Sequence, residues 1–425
     1  MTKPKKKESV IVAMSGRMDS TVTAYLLKNQ GFNVIGVTLQ FYGDEKEVRV
    51  NSAAENDDDV EFINLNPIKS DCHIEDLNQV KKICDVLEIP HYVVAAKKIF
   101  EDKILEYVVS AKIEGSTYAP CVYCNRVKLD ILLEKADKLG VKYLATGHYG
   151  KIHWEAKSRE YHVYSSSDAA SDQSYFLSQL SQEHLSRMIL PLSEMRVVDV
   201  EKMATLINYK FNLVRKKKKM CFMENPKLNE LVESRTAESL RKEGGIYRLD
   251  DQSFVADHAG VHHHHIGEVI KLPEGQDHAG EMSIVKIKSS SHNIYIDYVD
   301  RQEYEYCSLD TFWSANCLNQ SLPINAFVKM GIWEDYIPVI VYFKNNKRLV
   351  LEFCQMQKGA LIAGELAVLF SSSTGGRIIG TGRVNGTGKI GNIIRAVESR
   401  PTEEKDIFSI DKVENEDFVK QDFDF

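Results

Sequence analysis

Hydrophobic and polar positions change rhythm along this chain. Through roughly the first 215 residues, short apolar runs alternate with helix-period stretches. Residues 10–14 form an unbroken apolar run, as a strand buried on both faces requires. Residues 21–29 read as a helix, with Ala24, Leu26 and Leu27 apolar, and residues 33–41 read as a second strand rich in Val and Ile. Residues 44–70 are polar and acidic, carry Asp57-Asp58-Asp59, and read as a long loop. Helical periods follow at 76–87, 99–114 and 127–139, with strand signals at 92–95 and 143–146. This alternation predicts an α/β fold, a doubly wound parallel sheet whose ligand site lies at the carboxyl ends of its strands. The loop at 15–20 and Gly147-His148-Tyr149 fall at such ends. Residues from about 168 to 240 read as helical and are basic in the middle. From about 245, short Val/Ile/Tyr/Phe runs alternate with Gly, Asn and Lys, which predicts small β-domains closing into a barrel. The expected boundaries are 8–215 for the α/β domain with its helical segment, 216–300 for a central β-domain and 301–398 for a β-barrel. Residues 399–425 form an acidic, flexible tail with nine acids and three lysines in the last 25 residues.

Composition narrows the class. A chain of 425 residues allows two or three domains, and 43% hydrophobic with 27% charged residues excludes global disorder. The net charge of −7 does not announce nucleic-acid binding, so any RNA contact must come from local basic surface. No apolar segment is long enough to span a bilayer, and no membrane partner is expected. The basic start, Lys3 to Lys7, lacks the apolar core of a signal peptide and the Arg-rich amphipathic character of a transit peptide, so a cytoplasmic location is expected. Eight cysteines spread over such a chain do not suggest a disulfide framework. Cys121 and Cys124 have C-x-x-C spacing, which suggests redox, sulfur or metal chemistry; Cys72, Cys84, Cys307, Cys317 and Cys354 lie in apolar contexts and read as core residues.

The loop Ser15-Gly16-Arg17-Met18-Asp19-Ser20 joins the first strand to the first helix. Backbone N–H groups and the helix dipole at such a junction make an anion site. The loop lacks the Gly-Lys-Ser/Thr ending of a P-loop. Read without a ligand, the same residues are a parallel strand meeting a Ser/Asp-capped helix. The run His262 to His265 is internal and offers either a metal site or a loop filled by aromatic rings. Arg215-Lys216-Lys217-Lys218-Lys219 is either a solvated basic face or a contact for RNA phosphates.

Five stretches together resemble one family, the tRNA 2-thiouridylases of bacteria and their mitochondrial relatives. The 15–20 loop resembles the Ser-Gly-Gly-x-Asp-Ser loop of ATPases that split ATP into AMP and pyrophosphate. The others are Pro120-Cys121-Val122-Tyr123-Cys124-Asn125-Arg126, Ala145-Thr146-Gly147-His148-Tyr149, Asp172-Gln173-Ser174-Tyr175-Phe176-Leu177 with Leu180-Ser181-Gln182 and Leu190-Pro191-Leu192, and Cys221-Phe222. The resemblance covers roughly residues 8–390. It implies an adenine nucleotide alpha hydrolase-like first domain and ATP-dependent 2-thiolation of the wobble uridine of tRNA. By resemblance, Ala13, Ser15, Gly16, Asp19, Ser20, Leu39 and Gly147 bind ATP, and Asp19 contacts Mg²⁺. Ala119, Pro120, His148, Ser171, Asp172, Gln173, Lys217 and Lys218 would meet the RNA. A carrier protein would load a persulfide on Cys221, with Cys124 as the attacking nucleophile and a Cys124–Cys221 disulfide or free sulfide as the outcome. Some members carry Asp at the Cys121 position; in those with Cys, the positions of Cys121, Cys124 and Cys221 can hold a [4Fe–4S] cluster. A structural zinc site would need a fourth ligand.

The chain departs from the family pattern at points that matter for RNA. Arg17 stands where the loop has its second Gly, a residue that tolerates φ > 0 as Arg does not. Gly267-Glu268-Val269-Ile270-Lys271 replaces a basic Gly-Gln-Arg-Lys-Gly loop, Gly331-Ile332-Trp333 an Arg-Tyr-Arg, and Ala363-Gly364-Glu365 a Pro-Gly-Gln. These exchanges leave two other readings open: thiolation of a different RNA or site, and a weakly catalytic paralogue serving as an RNA-binding or assembly module.

Overall fold

The computed structural model describes residues 8–41, 77–114, 120–207, 209, 228–237, 243–271, 280–314, 323–331, 335–345, 348–359 and 364–389. The expected loop at 44–70, Cys72, Ala119, the basic run at 215–219, Cys221, Cys317 and the acidic tail lie outside them. The chain divides into two compact units. The first comprises residues up to Glu106 with Pro120–Leu228, and the second Tyr107–Ala119 with the residues from Asn229 onward.

In the first unit, β1 (Ser9–Ala13) runs into α1 (Met18–Asn29), β2 (Asn33–Gln40), α2 (Leu77–Val86) and β3 (His91–Ala95). A helix then begins as α3 (Lys97–Ile99) and passes through a π-helical stretch, Phe100–Leu105, into α4 (Glu106–Ile113), which belongs to the second unit from Tyr107 onward. After it come α5 (Pro120–Lys138), β4 (Tyr143–Ala145), a hairpin of β5 (Lys151–Glu155) and β6 (Glu160–Tyr164), α6 (Ser174–Leu177), α7 (Gln182–Arg187), β7 (Met188–Ile189) and α8 (Val197–Ala204). The sheet has the order β3-β2-β1-β4-β7 and all of its pairings are parallel. The chain moves outward from β1 through β2 to β3, then returns to the other side of β1 as β4. The gap between the carboxyl ends of β1 and β4 is therefore a topological switch point, where open α/β sheets bind ligands.

Burial follows the pattern of apolar positions. Val10, Ile11 and Val12 are fully buried because helices cover both faces of the central strand. One face packs Val22, Ala24 and Leu27 of α1 against Val80, Ile83 and Cys84 of α2 and Val200 and Ala204 of α8. The hairpin β5–β6 and strand β7 have no counterpart in the sequence expectation, and α5 starts seven residues before the expected residue 127. Pro120 explains the earlier start: its missing N–H and fixed φ suit the first helical position, and no helix breaker follows.

The second unit includes α9 (Leu228–Arg235) from Asn229, a five-stranded sheet and a barrel. The sheet joins β8 (Gly244–Arg248), β9 (Phe254–His258), β10 (Val269–Ile270), β11 (Met282–Lys288) and β12 (Asn293–Tyr298) in the order β10-β11-β12-β8-β9. Next come β13 (Glu303–Ser314), β14 (Ile324–Lys329), β15 (Ile337–Asn345), β16 (Arg348–Lys358), β17 (Leu366–Phe370) and β18 (Ile378–Gly388). They close in the order β13-β16-β15-β14-β17-β18, as the sequence texture predicts. Closure leaves no open edge strand. Alternate residues such as Leu309, Val328, Val341, Leu351 and Leu369 fill the interior. Cys84 and Cys307 are core residues as expected, and burial pushes the Cys84 thiol up to about 12. Cys354 corrects the expectation. It is exposed, because the strand pleat turns it away from the interior that its neighbour Phe353 enters.

His91 opens β3 and lies 2.8 Å from Thr38 Oγ1 through its Nε2. Desolvation holds its pKa below the ordinary 6.5, with Asp85 opposing the shift and Lys81 adding to it. The unfolded chain therefore binds this proton more readily than the folded one. The stability contributed by neutral His91 is complete above pH 6.5 and is lost as pH falls below it toward the lowered value. Chemical denaturation across that window should show a steeper fall in stability for the natural protein than for His91→Gln.

Candidate active site

The junction of β1 and α1 is shaped by a single positive φ. Gly16 has φ +75°, and a Cβ there would sit 3.0 Å from Val80 Cγ2. The next residue, Arg17, has φ −91° and ψ 163°, ordinary extended backbone. The left-handed conformation that excludes large residues thus falls on Gly16, and Arg17 enters the loop without strain. Arg17 is also the N-cap of α1 and makes no side-chain cap hydrogen bond, since a guanidinium carries only donors. The expected Ser/Asp cap is absent from this position. Instead, the loop is cross-braced by hydroxyls. Ser15 N donates to Ser20 Oγ at 3.2 Å, Ser20 Oγ donates to the Arg17 carbonyl at 3.0 Å, and Thr21 Oγ1 donates to the same carbonyl at 2.8 Å. Gln79 Nε2 donates to the Gly16 carbonyl at 3.3 Å. Ser15 and Arg17 are exposed and Ser20 is buried. Ala13 ends β1, and the buried Leu39 lies near the end of β2.

Gly147 follows β4 and lies against this loop. A Cβ there would come within 2.9 Å of the Asp19 carbonyl carbon and 3.0 Å of its Cβ, so only hydrogen fits. Two residues on, the fully buried Tyr149 donates its hydroxyl to Asp19 Oδ1 at 2.8 Å. Tyr149 N donates to Gln173 Oε1 at 3.3 Å, and Gln173 N donates to the Tyr149 carbonyl at 2.7 Å. Asp172 accepts from Ser166 N at 2.8 Å and from Ser174 Oγ at 2.8 Å. On α5, Asn125 Nδ2 donates to the Phe176 carbonyl at 3.1 Å. A chain of hydrogen bonds and short covalent steps thus runs from the α1 loop through the β4 exit and the α6 turn to the helix that carries Cys121 and Cys124.

Cys121 and Cys124 are three residues apart near the start of α5, so they share one side of the helix. Cys121 is half-buried and Cys124 is buried. Pro120 is buried beside them. Of the residues expected at RNA, His148 is half-buried, with Nδ1 2.8 Å from Thr146 Oγ1, and Ser171 is half-buried in a 3₁₀ turn. Asp172 and Gln173 are only 6% and 7% exposed, and their hydrogen bonds run within the unit. Both side chains are largely buried and take part in this internal hydrogen bonding. Ala119, Lys217, Lys218 and Cys221 lie outside the described residues, so the meeting of Cys124 with Cys221 rests on resemblance. Tyr149 and Asn125 belong to motifs visible in the sequence. Their positioning roles are not legible there, because they depend on partners 130 and 51 positions away.

A family model described as the tRNA methyl transferase HUP domain matches residues 8–225. A tRNA-specific 2-thiouridylase MnmA of Caldanaerobacter subterraneus subsp. tengcongensis is 30% identical over 375 residues, covering 87% of this chain and 97% of the relative. One from Thermoanaerobacter sp. strain X514 has the same identity and coverage. The MnmA of a Picosynechococcus species is 30% identical over 384 residues, covering 88% of this chain and 97% of its own. The chain belongs to the tRNA-specific 2-thiouridylase family. In the second unit, Glu268 pairs with His264 Nδ1 at 3.3 Å. No helix among the described residues is long and apolar enough to cross a membrane.

Gly147→Ala should displace the Asp19 turn and lower ATP-dependent turnover by roughly tenfold or more, since small misplacements of a binding loop are costly. Tyr149→Phe keeps the ring and deletes the hydroxyl, with an expected loss of about 1–3 kcal/mol in stability. Steady-state kinetics with denaturant melts should separate the two, because Gly147→Ala weakens nucleotide use more than it weakens the fold.

Proposed function

We propose that this protein is an ATP-dependent tRNA sulfurtransferase that converts the wobble uridine to 2-thiouridine. The hydrogen-bonded path from Asp19 through Tyr149 and Gln173, continued by Asn125 to the Cys121–Cys124 helix, carries this reading. It couples an anion-binding loop to a thiol-bearing helix within one unit. Membership of the 2-thiouridylase family supports the same conclusion.

The chemistry divides between the two ends of that path. Oxygen is a poor leaving group from C2 of uridine, so it must be activated. The uridine O2 attacks the α-phosphorus of ATP, pyrophosphate leaves, and the base carries an adenylate. The α1 amides behind Gly16, with the Ser15 and Ser20 hydroxyls beside them, suit the pyrophosphate. Ala13, Leu39 and Gly147 flank the nucleotide. The Asp19 carboxylate, an oxygen donor in the first turn, suits Mg²⁺, and the cation would neutralise phosphate charge there. Arg17, uncapped and exposed, adds a cation at the mouth of the loop.

Sulfur then reaches C2 from a persulfide on Cys221, supplied by a carrier protein. The terminal sulfur bonds to C2 and AMP departs. The Cys124 thiolate attacks the Cys221 sulfur; the sulfur–sulfur bond breaks, its electron pair stays on the base, and a Cys124–Cys221 disulfide remains. A thiol reductant must restore both cysteines for the next cycle. Cys121 and Cys124, one helical turn apart, also suit two ligands of a [4Fe–4S] cluster with Cys221 as the third, and such a cluster would supply an open iron site for sulfide. The target base, flipped from its loop, would approach Ala119, Pro120 and Cys121, with His148 and Ser171 nearby and Lys217 and Lys218 on phosphates.

Unmodified tRNA incubated with the full chain, ATP, Mg²⁺ and a persulfide donor should yield 2-thiouridine at the wobble position by nucleoside mass spectrometry. Cys124→Ser should lower the yield at least ~10³-fold while leaving pyrophosphate release measurable, because the two half-reactions use different residues. Sulfur found at another position or in another RNA would replace the substrate assignment. Failure of the natural protein to release pyrophosphate or incorporate sulfur would defeat the enzyme reading.

A further inference from the structure

The histidine run in the second unit is not absorbed by the thiolation chemistry. Val261 and Ile266 anchor its two ends in the core of the five-stranded sheet, each 2% exposed. Between them a 3₁₀ turn spans Val261–His263 and brings consecutive imidazoles to the same side. The His262 and His263 rings lie 4.1 Å apart at an interplanar angle of 38°. Both aim Nε2 at one carboxylate oxygen on α9: Glu233 Oε1 is 3.3 Å from His262 Nε2 and 3.4 Å from His263 Nε2. One ligand atom from each of the three residues falls within 4.8 Å of the other two.

We infer that Glu233, His262 and His263 form a binding site for a divalent transition cation of the Zn²⁺ class. Two imidazole nitrogens and a carboxylate oxygen are the donor types this class prefers. The spacing agrees as well. A tetrahedral ion about 2.0–2.1 Å from each donor sets neighbouring donors roughly 3.4 Å apart, close to the separation of the carboxylate oxygen from each imidazole. Water would complete the shell on the exposed side, where His263 is 32% and Glu233 39% accessible, while His262 at 1% forms the buried wall. The remaining two histidines are otherwise engaged. His264 pairs with Glu268, and His265 is exposed, with its Nδ1 3.2 Å from the Ile266 carbonyl. The run therefore presents a defined pair rather than a flexible polyhistidine. A bound ion would tie α9 to the edge of the sheet, both within the second unit.

Cobalt titration of the reduced full chain tests the site and separates it from the cysteines. Saturation at roughly one equivalent should bring visible ligand-field bands, whereas any cysteine-bound cobalt adds sulfur-to-cobalt charge transfer in the near ultraviolet. Glu233→Gln and His263→Ala should each weaken the sulfur-free component by about tenfold or more, and His265→Ala should leave it intact. Zinc should raise the melting midpoint of the natural chain and of His265→Ala, but not of the other two variants. Matching melts in chelator establish that all four proteins fold. Absence of the sulfur-free component from the natural chain, its persistence in Glu233→Gln and His263→Ala, or equal loss in His265→Ala would each overturn the assignment.

Discussion

The hydrogen bond from Tyr149 to Asp19 ties the exit of β4 to the first turn of α1. A fully buried tyrosine ring must find a partner for its hydroxyl, and here the partner is a carboxylate in the first turn of α1. Hydrogen bonds to charged acceptors contribute roughly 1.5–3 kcal/mol, more than neutral ones. The bond therefore fixes both the side chain of Asp19 and the exit of β4. Gly147 makes it possible, since any larger residue would push the strand exit off the Asp19 backbone. Gln173 then grips Tyr149 through side chain and main chain together, which transmits the position of the loop to the α6 turn.

Arg17 illustrates how backbone geometry decides what a substitution means. A side chain in place of glycine suggests a damaged loop if that residue carries the positive φ. Here the turn is made by Gly16, and Arg17 is extended. The change is one of charge on the loop, not of strain. Arg17 therefore adds no backbone strain to the loop.

The two units follow different rules of assembly. The parallel sheet buries both faces and concentrates its polar chemistry at one edge of its strands, where helix N-termini and strand ends meet. The barrel of the second unit closes on itself and reserves its interior for aliphatic side chains. The five-stranded sheet carries the histidine run, where Glu268 pairs with His264.

Local pattern determined most of the architecture. Unbroken apolar runs marked β1 and β2, helical periods marked α1 and α2, and the Gly-rich texture beyond residue 245 marked antiparallel closure, because burial on one or two faces dictates each of these rhythms. The motifs around Ser15, Cys121, Gly147 and Asp172 carried the family resemblance, and the family is the one the relatives show. What the linear pattern could not contain were partners distant along the chain. Asp19 with Tyr149, Asn125 with Phe176, and Glu233 with two histidines are each brought together by packing of separate elements. The same limit explains Cys354, whose apolar neighbours suggested a core that the pleat denies it. It also explains Asp172 and Gln173, polar residues that the fold draws inward. Sequence periodicity encodes which side of an element is buried; only the tertiary structure decides what stands opposite.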